Sequence, residues 1–177
     1  MTCNRCPLAI INNFKSVKPR GDIDGKLFFI GEAPGYLEQK TGYTFVGKAG
    51  RLLQFFLEEY GLDDVAYLTN AIKCRPPKNR TPSHLELKTC RPRLIDEIAN
   101  GKPKIIVLLG NIAVNQFYGK EINSISKLNN RIVKVGTSYV IFGFHPAYIV
   151  RKRDVSDYIK TFNLIRLLYK HLVNKYI

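Results

Sequence analysis

The sequence lacks a long apolar run, and its first residues do not resemble a secretion signal. No segment approaches the roughly 20 consecutive apolar residues that a membrane-spanning helix needs. Residues 1–7 are polar and carry two cysteines, whereas a signal peptide would place a basic region and then an apolar run there. We therefore expect a cytoplasmic protein that does not bind a membrane.

Acidic residues are also scarce, since 14 Asp and Glu stand against 28 Lys and Arg and the net charge is +14. The basic excess is clustered. Residues 73–93 contain seven basic side chains and a single acid, Glu86, and residues 151–153 are all basic. Clustered positive charge favours a polyanionic partner, most simply nucleic acid, because phosphates provide affinity without regard to sequence. The alternative is a basic surface without such a partner.

Short apolar runs alternate along the chain with amphipathic segments of helical period. Strands are predicted at residues 26–30, 65–69, 105–109 and 139–144, the last forming a hairpin with 131–135 around residues 136–138. Helices are predicted at residues 47–60, 111–118 and 155–175, and from residue 81 onward with a break at Pro92 before a second piece at 93–99. Residues 120–130 are predicted to form a polar loop. This alternation implies one α/β domain over residues 1–177, expected to be a monomer, with a mainly parallel sheet covered on both sides.

Polar side chains and glycines follow the predicted strands. Glu32, Asn70, Gly110 and His145 all fall at or just after carboxyl ends of strands, where ligands bind in open α/β sheets. Taken singly, Asn70 could cap a turn and His145 could be a buried core histidine with its hydrogen bonds satisfied. Together, an acid, an amide and an imidazole at one sheet edge indicate a binding or catalytic site.

The four cysteines form one pair at positions 3 and 6 and another at positions 74 and 90. Disulfides are not expected in a reducing compartment, and a chain of 177 residues with 45% hydrophobic content can build a core without them. Four thiolates indicate a metal centre. Zinc and an iron–sulfur cluster both accept four cysteines, and the spacing does not separate them. The remaining alternative is four unrelated thiols.

Several motifs in the same order resemble the family 4 uracil-DNA glycosylases. They are GEAPG at 31–35, FVGKAGRLL at 45–53, TNAIKCRPP at 69–77, CRP at 90–92, LLG at 108–110 and HPAYIVR at 145–151. The resemblance covers nearly the whole chain. It implies a three-layer α/β/α sandwich with a four-stranded parallel core, a [4Fe-4S] cluster, and DNA repair by hydrolytic removal of uracil. It also implies that the enzyme is associated with the nucleoid through its uracil-containing DNA. The cluster ligands would be Cys3, Cys6, Cys74 and Cys90.

The resemblance also assigns roles in a base pocket. Phe45 takes the place of the aromatic that stacks on uracil, and Asn70 that of the amide that hydrogen-bonds the polar edge of the base. Glu38 matches the acid near the base C5, where a thymine methyl would clash. His145 is expected to face the carbonyl O2 as negative charge collects on the departing base.

The turn after the first predicted strand is expected to form the floor of this pocket. Glu32 is expected to help place the attacking water, and the turn is shaped by Gly31, Ala33 and Gly35. A related family has an aspartate in this turn to position water, but this chain has Ala33. The favoured mechanism is therefore dissociative, with the glycosidic bond largely broken before water adds.

Contacts with DNA phosphates are expected from Arg151 and from the basic run beside Cys74, including Arg75. Two positions depart from the family pattern, because Gln39 replaces a second acid and Thr44 replaces a proline, which is expected to loosen Phe45. Two alternative functions remain: a non-catalytic, metal-containing DNA-binding module of a replication system, and a broader deaminated-base glycosylase that also acts on hypoxanthine or xanthine.

Overall fold

A computed structural model describes residues 3–122 and 124–173 of the chain. Within these residues six strands form one sheet: β1 (Arg20–Gly21), β2 (Leu27–Gly31), β3 (Ala66–Asn70), β4 (Ile105–Leu109), β5 (Ile132–Val135) and β6 (Ser138–Gly143). Their order across the sheet is β1-β3-β2-β4-β6-β5. The four central strands β3, β2, β4 and β6 are parallel, and the two edge strands pair antiparallel.

The parallel four-stranded core predicted above is confirmed, but the complete sheet has six strands. Every residue of β2, β3 and β4 is buried, as expected for strands covered on both faces, which therefore lack an alternating polar pattern. Strand β1 was not predicted, because its two residues are too few to show a periodic pattern in the sequence. Strand β5, the outer arm of the predicted hairpin, is exposed along its whole length and extends the sheet at the other edge.

Helices cover both faces of the sheet within the described ranges. They are α1 (Pro7–Ile11), α2 (Tyr36–Thr41), α3 (Lys48–Glu59), α4 (His84–Gly101), α5 (Asn111–Tyr118), α6 (Ile125–Leu128), α7 (Pro146–Lys152) and α8 (Ser156–Leu172). Alternate residues of β2 point to opposite faces, so Phe29 packs against α3 and α8 while Phe28 packs against the α4 and α5 side. The three-layer arrangement is thereby confirmed. In the part of the chain that the structure describes, no helix is long and apolar enough to span a bilayer.

The predicted break at Pro92 is wrong, because α4 continues through it. A proline inside a helix costs about 3 kcal/mol or more, so tertiary contacts have to offset it. Leu94 is fully buried, and the Arg91 guanidinium donates to two backbone carbonyls at the carboxyl end of α5. These contacts hold α4 in place on both sides of the proline.

Other element boundaries differ by a few residues from those predicted. Helix α4 begins at His84, because the Ser83 hydroxyl and the Glu86 carboxylate form a capping box there. The predicted loop at 120–130 contains the short helix α6. Helix α8 is described as far as Leu172, and the predicted end at residue 175 lies outside the described residues.

Candidate active site

A cleft of about 560 Å³ opens at the carboxyl ends of the central strands. Strands β2 and β3 end in register, with Gly31 opposite Asn70, and the Gly110 N–H after β4 donates to the Gly143 carbonyl at the end of β6 (2.8 Å). The predicted site residues that line the cleft are Glu32, Ala33, Gly35, Glu38, Phe45, Asn70, His145 and Arg151. Gly31 lies directly behind Phe45 and Asn70. Arg75 and the four cysteines lie outside the cleft.

His145 precedes α7 and presents a neutral imidazole to the cleft. Its Nδ1 accepts a hydrogen bond from the Ala147 N–H (3.2 Å), so the single proton of the neutral ring lies on Nε2. The pKa of His145 is lowered to about 4, mainly by burial and also by the charge of Arg151, while Glu38 acts in the opposite direction. At neutral pH the ring is therefore an uncharged donor. Gly110, with φ of +90°, leaves room for it, since a Cβ at that position would lie 3.2 Å from the His145 Cβ.

Phe45 and Asn70 meet at Gly31, where a side chain would not fit. A Cβ at Gly31 would lie 2.6 Å from the Phe45 Cζ and 2.5 Å from the Asn70 Oδ1. The Phe45 ring is buried except where it faces the cleft, and its centroid lies 6.4 Å from that of the His145 ring. Gly31 thus brings the aromatic face and the amide together at the end of β2.

Thr44 anchors the amide of Asn70. The Asn70 Nδ2 donates to the Thr44 Oγ1 at 2.6 Å, and both side chains are buried. This bond leaves the Asn70 Oδ1 as an acceptor and the second N–H as a donor. Thr44, which departs from the family pattern, therefore orients Asn70 and is itself buried.

Glu38 joins the turn after β2 to the segment that carries Phe45. Its Oε1 accepts from the backbone N–H groups of Val46 (3.0 Å) and Gly47 (2.7 Å), and its Oε2 accepts from that of Gly35 (3.1 Å). Both carboxylate oxygens are thus engaged within the protein. Glu38 forms part of the cleft wall and fixes its shape.

Glu32 and Arg151 place opposite charges in the cleft. Burial raises the pKa of Glu32, and the positive charge of Arg151 opposes that shift. The Arg151 side chain is exposed at the end of α7, where it lines the cleft and also influences His145. The cleft therefore has a carboxylate within and a cation that faces solvent.

The four cysteines line a second, smaller cavity together with the apolar side chains of Leu8 and Ile72. The pKa of the Cys74 thiol is raised to about 12, mainly by burial and also by the other three thiols. Burial also raises the pKa of Cys90, while the Lys73 backbone N–H acts in the opposite direction. Among residues 3–122 and 124–173, no three or more His, Cys, Asp or Glu side chains form a group that could hold a metal ion.

Lys73 is a residue whose role the sequence did not reveal, because it was counted only as part of the basic cluster. Its Nζ is buried and donates to the Thr69 hydroxyl (2.6 Å), the Asn70 carbonyl (2.8 Å) and the Glu97 carboxylate (2.7 Å). The partner Glu97 is 24 residues away, so no local pattern indicates the pair. Lys73 therefore connects β3, the segment with Cys74 and α4, and it cannot contact a phosphate.

Other members of the basic cluster are also engaged within the protein. Arg80 forms two hydrogen bonds with the Glu86 carboxylate (2.6 and 2.8 Å). Arg75 donates to the side chains of Asn79 (2.6 Å) and Gln39 (3.0 Å). Several cations between residues 73 and 93 thus already have partners within the protein.

The chain is similar in sequence to known uracil-DNA glycosylases. A model of the Uracil DNA glycosylase superfamily matches residues 18–172. The chain is 42% identical over 155 residues to the type-4 uracil-DNA glycosylase of Thermotoga maritima. The aligned residues are 86% of this chain and 80% of that protein. It is 36% identical over 160 residues to the type-4 uracil-DNA glycosylase of Pyrobaculum aerophilum, covering 85% and 80%. A DNA polymerase of Bacillus phage SP01 is 26% identical over 148 residues, which are 82% of this chain but only 16% of the polymerase. The chain therefore belongs to the uracil-DNA glycosylase superfamily and, within it, to the type-4 family.

Proposed function

We propose that this chain is a DNA repair enzyme that removes uracil from DNA by hydrolysing its N-glycosidic bond and leaves an abasic site. The observation that carries the proposal is the cleft in which Phe45, Asn70 and the neutral His145 lie together. The direct test is incubation with a uracil-containing oligonucleotide followed by alkaline strand cleavage. Cleavage at the uracil position supports the proposal. DNA binding without cleavage would instead support a non-catalytic module, the alternative that the phage polymerase match raises.

Recognition of the base requires that uracil leave the DNA stack. Flipping costs a few kcal/mol, and stacking on an aromatic side chain returns about 1 to 3 kcal/mol per base. Phe45 provides the aromatic face, and the amide of Asn70 can accept from uracil N3–H and donate to O4. Glu38 would lie near the base C5 and leave no room for a thymine methyl.

Bond cleavage requires stabilisation of the departing uracil anion. The His145 Nε2–H would donate to uracil O2 as negative charge develops there. Since Ala33 provides no carboxylate to activate water, the C1′–N1 bond would be largely broken before water adds. Glu32 would accept a hydrogen bond from that water and hold it near C1′. Arg151 and Arg75 would contact phosphates of the bound strand, which would also keep the enzyme with the DNA of the nucleoid.

Changes at Asn70 test how the base is read. We expect Asn70→Ala to lose most activity on uracil. We expect Asn70→Asp to lose the preference for uracil over cytosine, because the polar edge of cytosine reverses the pattern of donors and acceptors. Thr44→Val keeps the shape of Thr44 but removes the anchor at 2.6 Å, and it should reduce uracil excision by less than Asn70→Ala. Single-turnover rates on uracil and cytosine oligonucleotides measure these effects. Undiminished uracil selectivity in Asn70→Asp would mean that another residue reads the base.

We propose a [4Fe-4S] cluster held by Cys3, Cys6, Cys74 and Cys90, with zinc as the less favoured alternative. The donor set fits such a group, because four thiols line one cavity and the Lys73 backbone N–H lies beside the Cys90 sulfur. The described residues contain no group suited to a single metal ion, which counts against zinc more than against a larger cluster. When bound, the cluster would supply a covalent link between the first residues and the segment from Cys74 to Cys90. In this chain it would stabilise the fold and stand apart from the cleft.

The protein purified without oxygen should therefore be brown, with broad absorption near ~400 nm and about four irons per chain. Cys74→Ser should lose iron and lower the free energy of unfolding, because metal binding is coupled to folding. Absorption spectra, iron analysis and denaturant titration measure these properties without reference to activity. A colourless protein with one zinc per chain would contradict the assignment.

A further inference from the structure

A groove of about 410 Å³ lies beside the amino-terminal segment and the carboxyl end of α2. Its walls include two aromatic side chains, Phe14 and Tyr43, which are 44% and 47% exposed. Neither belongs to the hydrophobic core, and burial does not explain their presence. Phe14 also has a positive φ of 58°, an unfavourable conformation for a bulky residue. The groove therefore presents aromatic surface that the fold itself does not use.

The charge of the groove is positive. Lys15 and Lys18 line it, and none of the described residues that line it is acidic. Nearby on α2, the ammonium of Lys40 lies 5.0 Å from the ring centroid of the half-exposed Tyr36. Exposed aromatic rings interleaved with cations are the features by which proteins bind single-stranded nucleic acid, because bases stack on the rings and phosphates contact the cations. The chemistry of the groove thus complements a single strand.

The groove is continuous with the segment that recognises the base. Tyr43 precedes Phe45 by two residues, so their backbones are separated by at most about 7 Å. Between them Thr44 bonds to Asn70, and its N–H donates to the Lys18 carbonyl (3.0 Å). The Lys18 N–H in turn donates to the Gly42 carbonyl (2.7 Å). One rigid segment therefore has the base pocket on one side and the groove on the other.

We propose that this groove binds the single-stranded DNA next to the flipped uracil, with bases stacked on Phe14 and Tyr43 and phosphates held by Lys15 and Lys18. The inference rests on the proposed function, since it extends the substrate beyond the base pocket. Bases in an intact duplex have no free faces for these rings. The groove therefore favours uracil in single-stranded DNA over uracil in a duplex.

The test is the binding of a fluorescent, uracil-free single strand, followed by anisotropy. Phe14→Ala with Tyr43→Ala should weaken this binding at least about fivefold for each base no longer stacked. Phe14→Leu with Tyr43→Leu keeps apolar bulk without a flat ring and should show the same loss. The control is Phe55→Ala on α3, which removes a 54% exposed ring from another surface and should leave binding unchanged. Binding of the matched duplex should change less than twofold in every variant.

A second arm measures the salt dependence of binding. Lys15→Gln with Lys18→Gln should reduce the slope of log affinity against log salt by about 1.4, at roughly 0.7 per phosphate on a single strand. Lys160→Gln with Lys170→Gln on α8 is the matched control and should leave the slope unchanged.

The outcomes separate this proposal from the function on which it rests. If wild type releases uracil but the aromatic variants bind single strands normally, the proposed role of the groove is overturned and the proposed function stands. Wild type that releases no uracil would overturn the proposed function, while binding of uracil-free DNA would still decide the groove. A second copy of the chain is the other possible occupant of the groove, and light scattering tests for it. If wild type is a dimer and the aromatic variants are monomers with unchanged DNA affinity, the groove is a contact between copies and the proposal is overturned.

Discussion

Replacing His145 by alanine should slow single-turnover excision of uracil by about 100- to 1000-fold, the usual effect of removing one preorganised donor to a developing oxyanion. The loss should be this large because Ala33 leaves no water-activating carboxylate in the turn, so stabilisation of the leaving base carries most of the rate. DNA affinity should change little, since the basic side chains that meet phosphates remain. An alanine variant that cleaves within a few-fold of wild type, or that mainly loses DNA affinity, would contradict this role.

The pH dependence of the same step distinguishes a neutral from a charged donor. Burial lowers the pKa of His145 from 6.5 to about 4, so the ring stays neutral while pH falls through 6.5. The single-turnover rate should therefore show no inflection from His145 near pH 6.5. Between pH 6.5 and about 4 the unfolded chain binds a proton that the folded chain does not, so the contribution of this residue to stability decreases as pH falls. An increase in rate on protonation near pH 6.5 would indicate an imidazolium donor.

Replacing Lys73 by methionine should lower the free energy of unfolding by about 3 to 5 kcal/mol, as removal of one partner from a buried ion pair does. The Glu97 carboxylate would lose its cation at 2.7 Å, and the Asn70 carbonyl would lose a donor at 2.8 Å. Glu97 is 17% exposed, so water can partly replace the ammonium and the effect should lie toward the lower end. Denaturant titration measures the change.

The control for Lys73 is the double variant Lys73→Met with Glu97→Leu, which removes both charges. It should recover much of the loss, because the penalty of a single variant is mainly the uncompensated charge. Iron analysis of each variant separates this effect from loss of the metal centre, since Lys73 adjoins Cys74. A Lys73→Met variant within 1 kcal/mol of wild type would show that the pair does not stabilise the fold.

The central strands could be predicted because each is buried on both faces and appears as an uninterrupted apolar run ending at a polar residue or glycine. That reasoning also placed Glu32, Asn70 and His145 at one edge of the sheet. It failed at Pro92, where contacts from α4 to α5 overrule the local preference of proline. Such contacts join residues far apart in sequence, and no periodic pattern records them.

The same limit applies to hydrogen-bond partners within the site. The basic cluster suggested phosphate contacts, but Lys73 is buried against the carboxylate of Glu97, which lies 24 residues further along the chain. Thr44 stood out in the sequence as a departure from the family pattern, and its partnership with Asn70 became visible only when β3 and the Phe45 segment were placed side by side. Residue types at strand ends were predictable, whereas their hydrogen-bond partners were not.

The missing side chain at Gly31 has a consequence for how base choice in this enzyme could change. A single methyl group there would collide with both the Phe45 ring and the Asn70 amide. A substitution at Gly31 would therefore disturb both the stacking face and the amide that reads the base edge, and could not change one without the other. A change that admits a larger base would therefore have to keep Gly31 as glycine and alter the Phe45 ring or the Asn70 amide directly.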